Sequence, residues 1–163
     1  MKKVPNKIQK SHLFDRLHWA KENLDSVQSK YRVVFDNPID LDAPACILVP
    51  DPNWLAAALN GSILPPIEAY LADQDTIERY ILEGNDPQAF DWKKVGGAKH
   101  PYAKPIGPMT EEEAIEYLIM KDIPRHIWDD ERTNRPRFKI TTVDKIFSNR
   151  TYRPAWKLKE EAA

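Results

Sequence analysis

Fourteen prolines against five glycines constrain this chain more than any other feature of its sequence. Proline has no backbone N–H and a fixed φ, so it stops helices and is kept out of central strands. Spread over 163 residues, it dictates short elements joined by extended connectors. Such connectors lose less entropy on ordering, which suits a segment that drapes over a partner. Hydrophobic residues make up 42% of the chain and charged residues 30%, enough for a core and against wholesale disorder. The length fits one domain, or one compact domain with an ordered extension.

The punctuation places the elements. After Ser11, a candidate N-cap, Leu13, Leu17, Ala20, Leu24, Val27 and Tyr31 recur at alternating four- and three-residue spacing. This predicts a helix of about five turns with a narrow apolar stripe. The stripe packs on its own domain or, like a coiled-coil seam, on a helix of another subunit. Tyr31–Phe35 also reads as a short strand, stopped at Asp36-Asn37-Pro38, and the apolar run Ala45–Val49 as a buried strand ended by Pro50. Asp51-Pro52 has the form of an N-cap followed by proline at the first helical position, predicting a helix to Leu59 closed by Asn60-Gly61. Pro65-Pro66 predicts another from Ile67 to Leu82. Thr110 and Glu113 form a capping box, and Ala114, Ile115, Leu118 and Ile119 the buried face of the helix behind it, which Pro124 ends. Arg137–Val143 alternates towards Phe138, Ile140 and Val143, a strand with one buried face.

The expected fold is α+β, with three to four short helices, two to three short strands and extended Pro-rich segments. Residues 1–92 form a mixed helical part with an acidic middle. Residues 93–108, with Gly96-Gly97, three prolines and four lysines, form a linker or long loop. Residues 109–163 form a helix–strand unit with a basic aromatic strap.

Chemistry-bearing motifs are scarce. The sequence contains no GxxxxGK[ST] loop, GxGxxG, HExxH, GxSxG or CxxC. The single cysteine, Cys46, rules out an intramolecular disulfide and a cysteine-based zinc site; its apolar neighbours predict a small buried hydrophobe. Asp15, His18 and Glu22 share a helix face, the arrangement of a solvated polar face more often than of a metal site. Asp129 and Asp130 are neighbours in a turn, a poor arrangement for converging on one substrate atom. The expectation is no enzyme, no cofactor and no metal. The basic N-terminus is followed by no apolar stretch, and no run reaches the ~18 residues of a membrane span. A cytoplasm-like setting is expected.

Charge is segregated. The net charge of −1 hides eleven acids against Arg79 alone between Asp36 and Trp92, and nine bases against Asp144 alone between Arg132 and Lys159. The basic end has three possible counterparts: the acidic middle of its own chain or a sister copy, a foreign protein, or nucleic acid. Its aromatics Phe138, Phe147, Tyr152 and Trp156 interleave with arginines and lysines. That composition serves base stacking, but equally a protein hot spot. Pro136 and Pro154 favour an extended strap, hence protein contact over nucleic acid. The expected interaction residues are Arg135, Arg137, Phe138, Arg150, Tyr152, Arg153 and Trp156.

The run Arg150-Thr151-Tyr152-Arg153-Pro154-Ala155-Trp156 resembles a signature, Asp-Arg-Thr-Phe-Arg-x-Ala-Trp, of small uncharacterised tailed-bacteriophage proteins. Asn134–Ile140 with Ile146 looks like the strand and connector leading into it, and the helix from Met109 belongs to the same stretch. Asn149 stands where the signature has aspartate, Tyr152 where it has phenylalanine, and Phe147 where proline is usual. The resemblance implies a phage origin and no particular activity. The resulting expectation is a structural or assembly component of a phage particle (tail, baseplate, fibre or capsid associated), located in the virion or in host cytoplasm before assembly. Its partners would be other phage structural proteins or copies of itself, with no membrane. The alternative is a non-structural phage protein that binds a host protein or nucleic acid.

Overall fold

Asp51 fixes the start of a helix by local chemistry. Its carboxylate accepts hydrogen bonds from the Asn53 and Trp54 amides at 2.9 Å, and Pro52 fills the first helical position, where no N–H is needed. In the structure, a computed structural model, residues 2–40, 42–70, 82–84, 101–129 and 137–146 are described. They form an α+β fold with five α-helices and one three-stranded antiparallel sheet. The helices are α1 (Asn6–Gln9), α2 (Leu13–Asn23), α3 (Pro52–Asn60), α4 (Glu111–Asp122) and α5 (Arg125–Trp128); the strands are β1 (Tyr31–Phe35), β2 (Cys46–Leu48) and β3 (Phe138–Thr142). Two compact units emerge, both discontinuous: residues 1–27 with 51–114, and 28–50 with 115–163.

In the first unit α3 is the central element. Trp54, Leu55, Ala56, Ala57 and Ala58 are all buried, and α2 packs against it. The helix ends where predicted, at Asn60-Gly61. Gly61 has φ +80° and lies against Pro108, so a Cβ there would sit 2.7 Å from Pro108 Cδ and 2.9 Å from the Gly107 carbonyl carbon. The chain beside it is laced by backbone bonds: Ser62 N–H to Ile106 O (2.7 Å), Ile106 N–H to Leu64 O (2.8 Å) and Met109 N–H to Ala58 O (3.1 Å). The described part of the Pro-rich segment is therefore a turn at 101–103, with Ala103 fully covered, followed by a partly buried pass over 104–108 that is neither helix nor strand. Residues 93–100 lie outside the described residues. Of the helix expected from Ile67 to Leu82, residues 67–70 form a 3-10 turn and Leu82 is helical, while residues 71–81 lie outside the described residues.

The long helix predicted from Ser11 to Tyr31 is shorter, with eleven residues, about three turns. His12, not Ser11, caps it: its Nδ1 accepts the Phe14 amide, while Ser11 Oγ donates to Ile8 O. The helix stops because Leu24 turns extended and the Val27 amide bonds Pro52 O. Tyr31 belongs to the sheet, as the strand reading of Tyr31–Phe35 has it.

In the second unit β1 is the central strand, with order β2-β1-β3. Val33 faces both Leu48 and Ile140, and Phe35 faces both Cys46 and Phe138. Directly opposed residues project to one side of a sheet, so Tyr31, Val33 and Phe35 share a face with Leu48 and Phe138. Against that face lies a cluster of Ile115, Ile119, Ile123 and Ile127. The helix α4 starts within the first unit, where the capping box forms as predicted: Thr110 N–H to Glu113 Oε1 and Glu113 N–H to Thr110 Oγ1, both 3.2 Å. Pro124 follows the end of α4 and caps α5, a helix the sequence did not suggest.

Both outer strands are more exposed than expected. Cys46 is half-buried and Val49 exposed, because β2 is an edge strand. Phe138 packs on the core, but Ile140 is 41% exposed and Val143 is exposed, because β3 is the other edge.

Candidate interaction surface

The interaction residues expected at the basic end separate into two groups. Arg137 and Phe138 are used by the fold itself. The Arg137 amide donates to Ile127 O at 2.8 Å, its carbonyl accepts the Asp36 amide at 3.0 Å, and its Nε meets Asp36 Oδ2 at 3.1 Å with both side chains largely covered. One base of the basic segment is thus paired with the first acid of the acidic stretch, within one chain. Phe138 pairs with Phe35 on the core face. Arg135, Arg150, Tyr152, Arg153 and Trp156 lie outside the described residues, as do Phe147 and the rest of the signature.

A different aromatic surface is built at the start of α2, and the sequence reading missed it. Arg16 is 0% exposed, and its Nη2 donates to Pro101 O at 2.8 Å. The Leu13 amide donates to the same carbonyl, also at 2.8 Å. These two bonds lock the 101–103 pass onto the first turn of α2, with Ala103 beneath and Tyr102 outward. The Tyr102 ring meets His12 edge-on at 5.2 Å between centroids, and Phe14 lies 5.0 Å from His12 on its other contact, tilted by 35°. Both distances fall in the range of favourable aromatic pairs. Phe14 is nevertheless 74% exposed and Tyr102 43% exposed. Tyr102 and Lys104 are exposed and Ala103 between them is buried. Lys10 and Asp15, both exposed, adjoin His12 and Phe14 in the chain. The available sequence signal was Phe14 itself, an aromatic off the apolar stripe of an amphipathic helix.

A second exposed apolar point lies on the loop after β1. Ile39 is 95% exposed. The backbone around it is pinned: Asn37 Oδ1 accepts the Ile39 and Asp40 amides at 3.0 Å, Asp40 Oδ1 accepts the Asp42 amide at 3.0 Å, and His126 Nε2 lies 3.1 Å from Pro38 O. Asp40 and Asp42 are exposed on either side of position 41.

Little else suggests chemistry. His18 Nε2 meets Glu22 Oε1 at 3.1 Å with both side chains mostly in solvent, the polar-face arrangement. Asp129 pairs with Arg125 at 3.3 Å across one helical turn. Among the described residues no three His, Cys, Asp or Glu side chains gather as a metal site, and no helix is long and apolar enough to cross a membrane. The Asp144 carboxyl is held below its ordinary value, first by a hydrogen bond from the Thr142 side chain, with its own backbone amide and Lys145 adding to it against some desolvation. No known protein family, curated protein or solved structure matches this chain.

Proposed function

We propose that this protein works by contact rather than catalysis, as a structural or assembly component of a bacteriophage particle. The observation that carries the contact reading is the preformed aromatic surface of His12, Phe14 and Tyr102, held in place from below by buried Arg16 yet open to solvent. Rigid aromatics that are ordered before binding lose little entropy on docking and dominate interface energies. The particle setting rests on the resemblance of Asn149–Trp156 to the tailed-phage signature. Pro-rich passes such as 104–108 suit a protein that lies along a partner. Use of Arg137 and Phe138 within the fold weakens the case for the basic segment as a nucleic-acid tail, at least at its start. The partners are other particle proteins or sister copies.

The test is mass spectrometry of purified virions, followed by a pull-down comparing the full chain with one ending after Val143, which retains all of β3. The protein is expected in the particle at a fixed ratio to its neighbours, with the partner recovered by the full chain. Its absence from purified particles refutes the reading.

A further inference from the structure

The two edges of the sheet in the second unit are not alike. β2 is three residues long, and Pro44 and Pro50 stand just outside it. Short edges and prolines discourage the addition of a further strand. β3 is five residues long, and no proline stands between Arg137 and Ile146. Its open side follows from its pairing with β1. The Asp36 amide donates to Arg137 O at 3.0 Å and the Val143 amide to Lys30 O at 2.8 Å. Hydrogen-bonded and non-bonded pairs alternate along an antiparallel ladder. In the register that sets Ile140 against Val33, the bonded residues within β3 are therefore Lys139 and Thr141. The Phe138, Ile140 and Thr142 amides point away from β1, and among the described residues no strand lies on that side. Ile140 is on the core face beside Val33, yet 41% exposed. A neighbouring strand there would cover it.

We infer that this neighbour is β3 of a second copy, added antiparallel about a two-fold axis through Ile140. That register sets Ile140 on its own counterpart and Phe138 on Thr142, so each outward amide faces a carbonyl of the other copy. The strand also tolerates its own charge. Its one charged residue, Lys139, falls opposite Thr141, and the two Lys139 side chains stand only diagonally, roughly 7–8 Å apart. Moving the axis to Lys139 would oppose the lysines directly, and moving it to Thr141 would carry Phe138 off the strand and onto Asp144. The other charges nearby are accounted for. Arg137 pairs with Asp36, Arg32 behind Thr141 donates to the Ser29 and Tyr31 carbonyls, and Asp144 and Lys145 lie in the turn beyond the paired stretch. Every residue involved belongs to the second unit. The contact is isologous and closes at two copies. The joined sheet runs β2-β1-β3-β3-β1-β2 and ends on both sides at the proline-flanked β2. Main-chain bonds supply the affinity and side chains fix the register. The inference goes beyond the contact reading above and does not use its aromatic surface.

Sedimentation velocity of the full chain across a concentration series should show a monomer–dimer equilibrium and nothing larger. Residue-resolved amide exchange by NMR gives the sharper test. Lys139 and Thr141 should exchange slowly at every concentration, whereas Phe138, Ile140 and Thr142 should slow by about tenfold or more as the dimer forms. Ile140→Pro removes an N–H that β1 does not use, so circular dichroism should match the wild type while the dimer is lost. Ile140→Lys opposes like charges on the axis and should weaken the dimer about tenfold or more.

A wild type that stays monomeric at every concentration overturns the inference. So does a dimer in which the Ile140 amide exchanges as it does in the monomer, a folded Ile140→Pro protein that dimerises like the wild type, or species that keep growing past two copies. The exchange pattern of the wild type decides the matter even without a folded variant. A monomeric chain that is still found in purified virions removes this inference and leaves the particle reading standing. A dimer with the alternating pattern, in a protein absent from virions, upholds the inference and refutes the particle reading.

Discussion

Replacing Gly61 by alanine separates two physical effects that usually arrive together. The backbone at Gly61, with φ +80° and ψ 167°, lies in a region that L-residues avoid, at a cost of about 1–3 kcal/mol. The added Cβ would also press on the Pro108 ring and backbone and on the Gly107 carbonyl carbon at 2.9 Å. These are rigid atoms rather than the tip of a flexible side chain, and relieving such overpacking costs about 1–3 kcal/mol more. The expected loss is about 2–6 kcal/mol, a large part of the ~5–15 kcal/mol that holds an average domain together. For a chain of this size the melting midpoint falls by about 5–20 °C.

Two other glycines serve as internal controls. Gly84 has φ +84° with nothing near its would-be Cβ, so Gly84→Ala carries strain without a clash. Gly107 has neither, so Gly107→Ala should be neutral within about 0.5 kcal/mol. Differential scanning calorimetry should rank the three as Gly61 worst, Gly84 intermediate and Gly107 unchanged. A Gly61→Ala protein that melts with Gly107→Ala would refute the claim that this close approach holds α3 against residues 107–108.

The remaining predictions concern single contacts. Arg137→Ala should lower stability by about 1–3 kcal/mol in urea unfolding, because it strands the part-buried Asp36 carboxylate; a double-mutant cycle with Asp36→Asn should show favourable coupling, and additive losses would exclude the pair. Asp51→Ala removes a cap that accepts two amides and should cost about 1 kcal/mol, whereas Asp51→Asn should retain most of it; equal melting of all three proteins would contradict this. Folding lowers the Asp144 pKa, so its stabilising contribution is present above the ordinary carboxylate range and lost as pH falls through the lowered folded value. Asp144→Asn should therefore lower the melting temperature slightly at neutral pH, leave it unchanged at the acid limit where Asp144 is already protonated, and so flatten the profile between them.

Local chemistry was legible in the sequence and distant geometry was not. Asp51-Pro52, the Thr110–Glu113 box, Pro124 and the Tyr31–Phe35 strand were readable because each acts within a few residues. The stripe through Leu24 and Val27 misled for a physical reason. Its spacing is helical, but the chain leaves the helix where the Val27 amide meets Pro52 O, a bond that no local pattern announces. Arg16 resembles any charged helix residue until Pro101, 85 positions away, supplies its acceptor. Ile140 reads as core because it alternates correctly, and its exposure follows only from β3 being an edge. The aromatic surface was hidden for the same reason, since Tyr102 reaches His12 through that same distant pass.

The interrupted layout of the second unit also bears on when the protein can become complete. Asp36 waits for a partner 101 residues further along, and β1 with β2 must be made long before β3 is available. Synthesis runs from the N-terminus and domains tend to close in that order. The residues of the first unit, 1–27 and 51–114, are all made while the sheet is still a two-stranded hairpin with Val33 uncovered. Closing so wide a loop is slow. A product that stops before Phe138 would keep the edge of β1 open, a ready template for joining other chains. Arrival of β3 is thus what closes that edge.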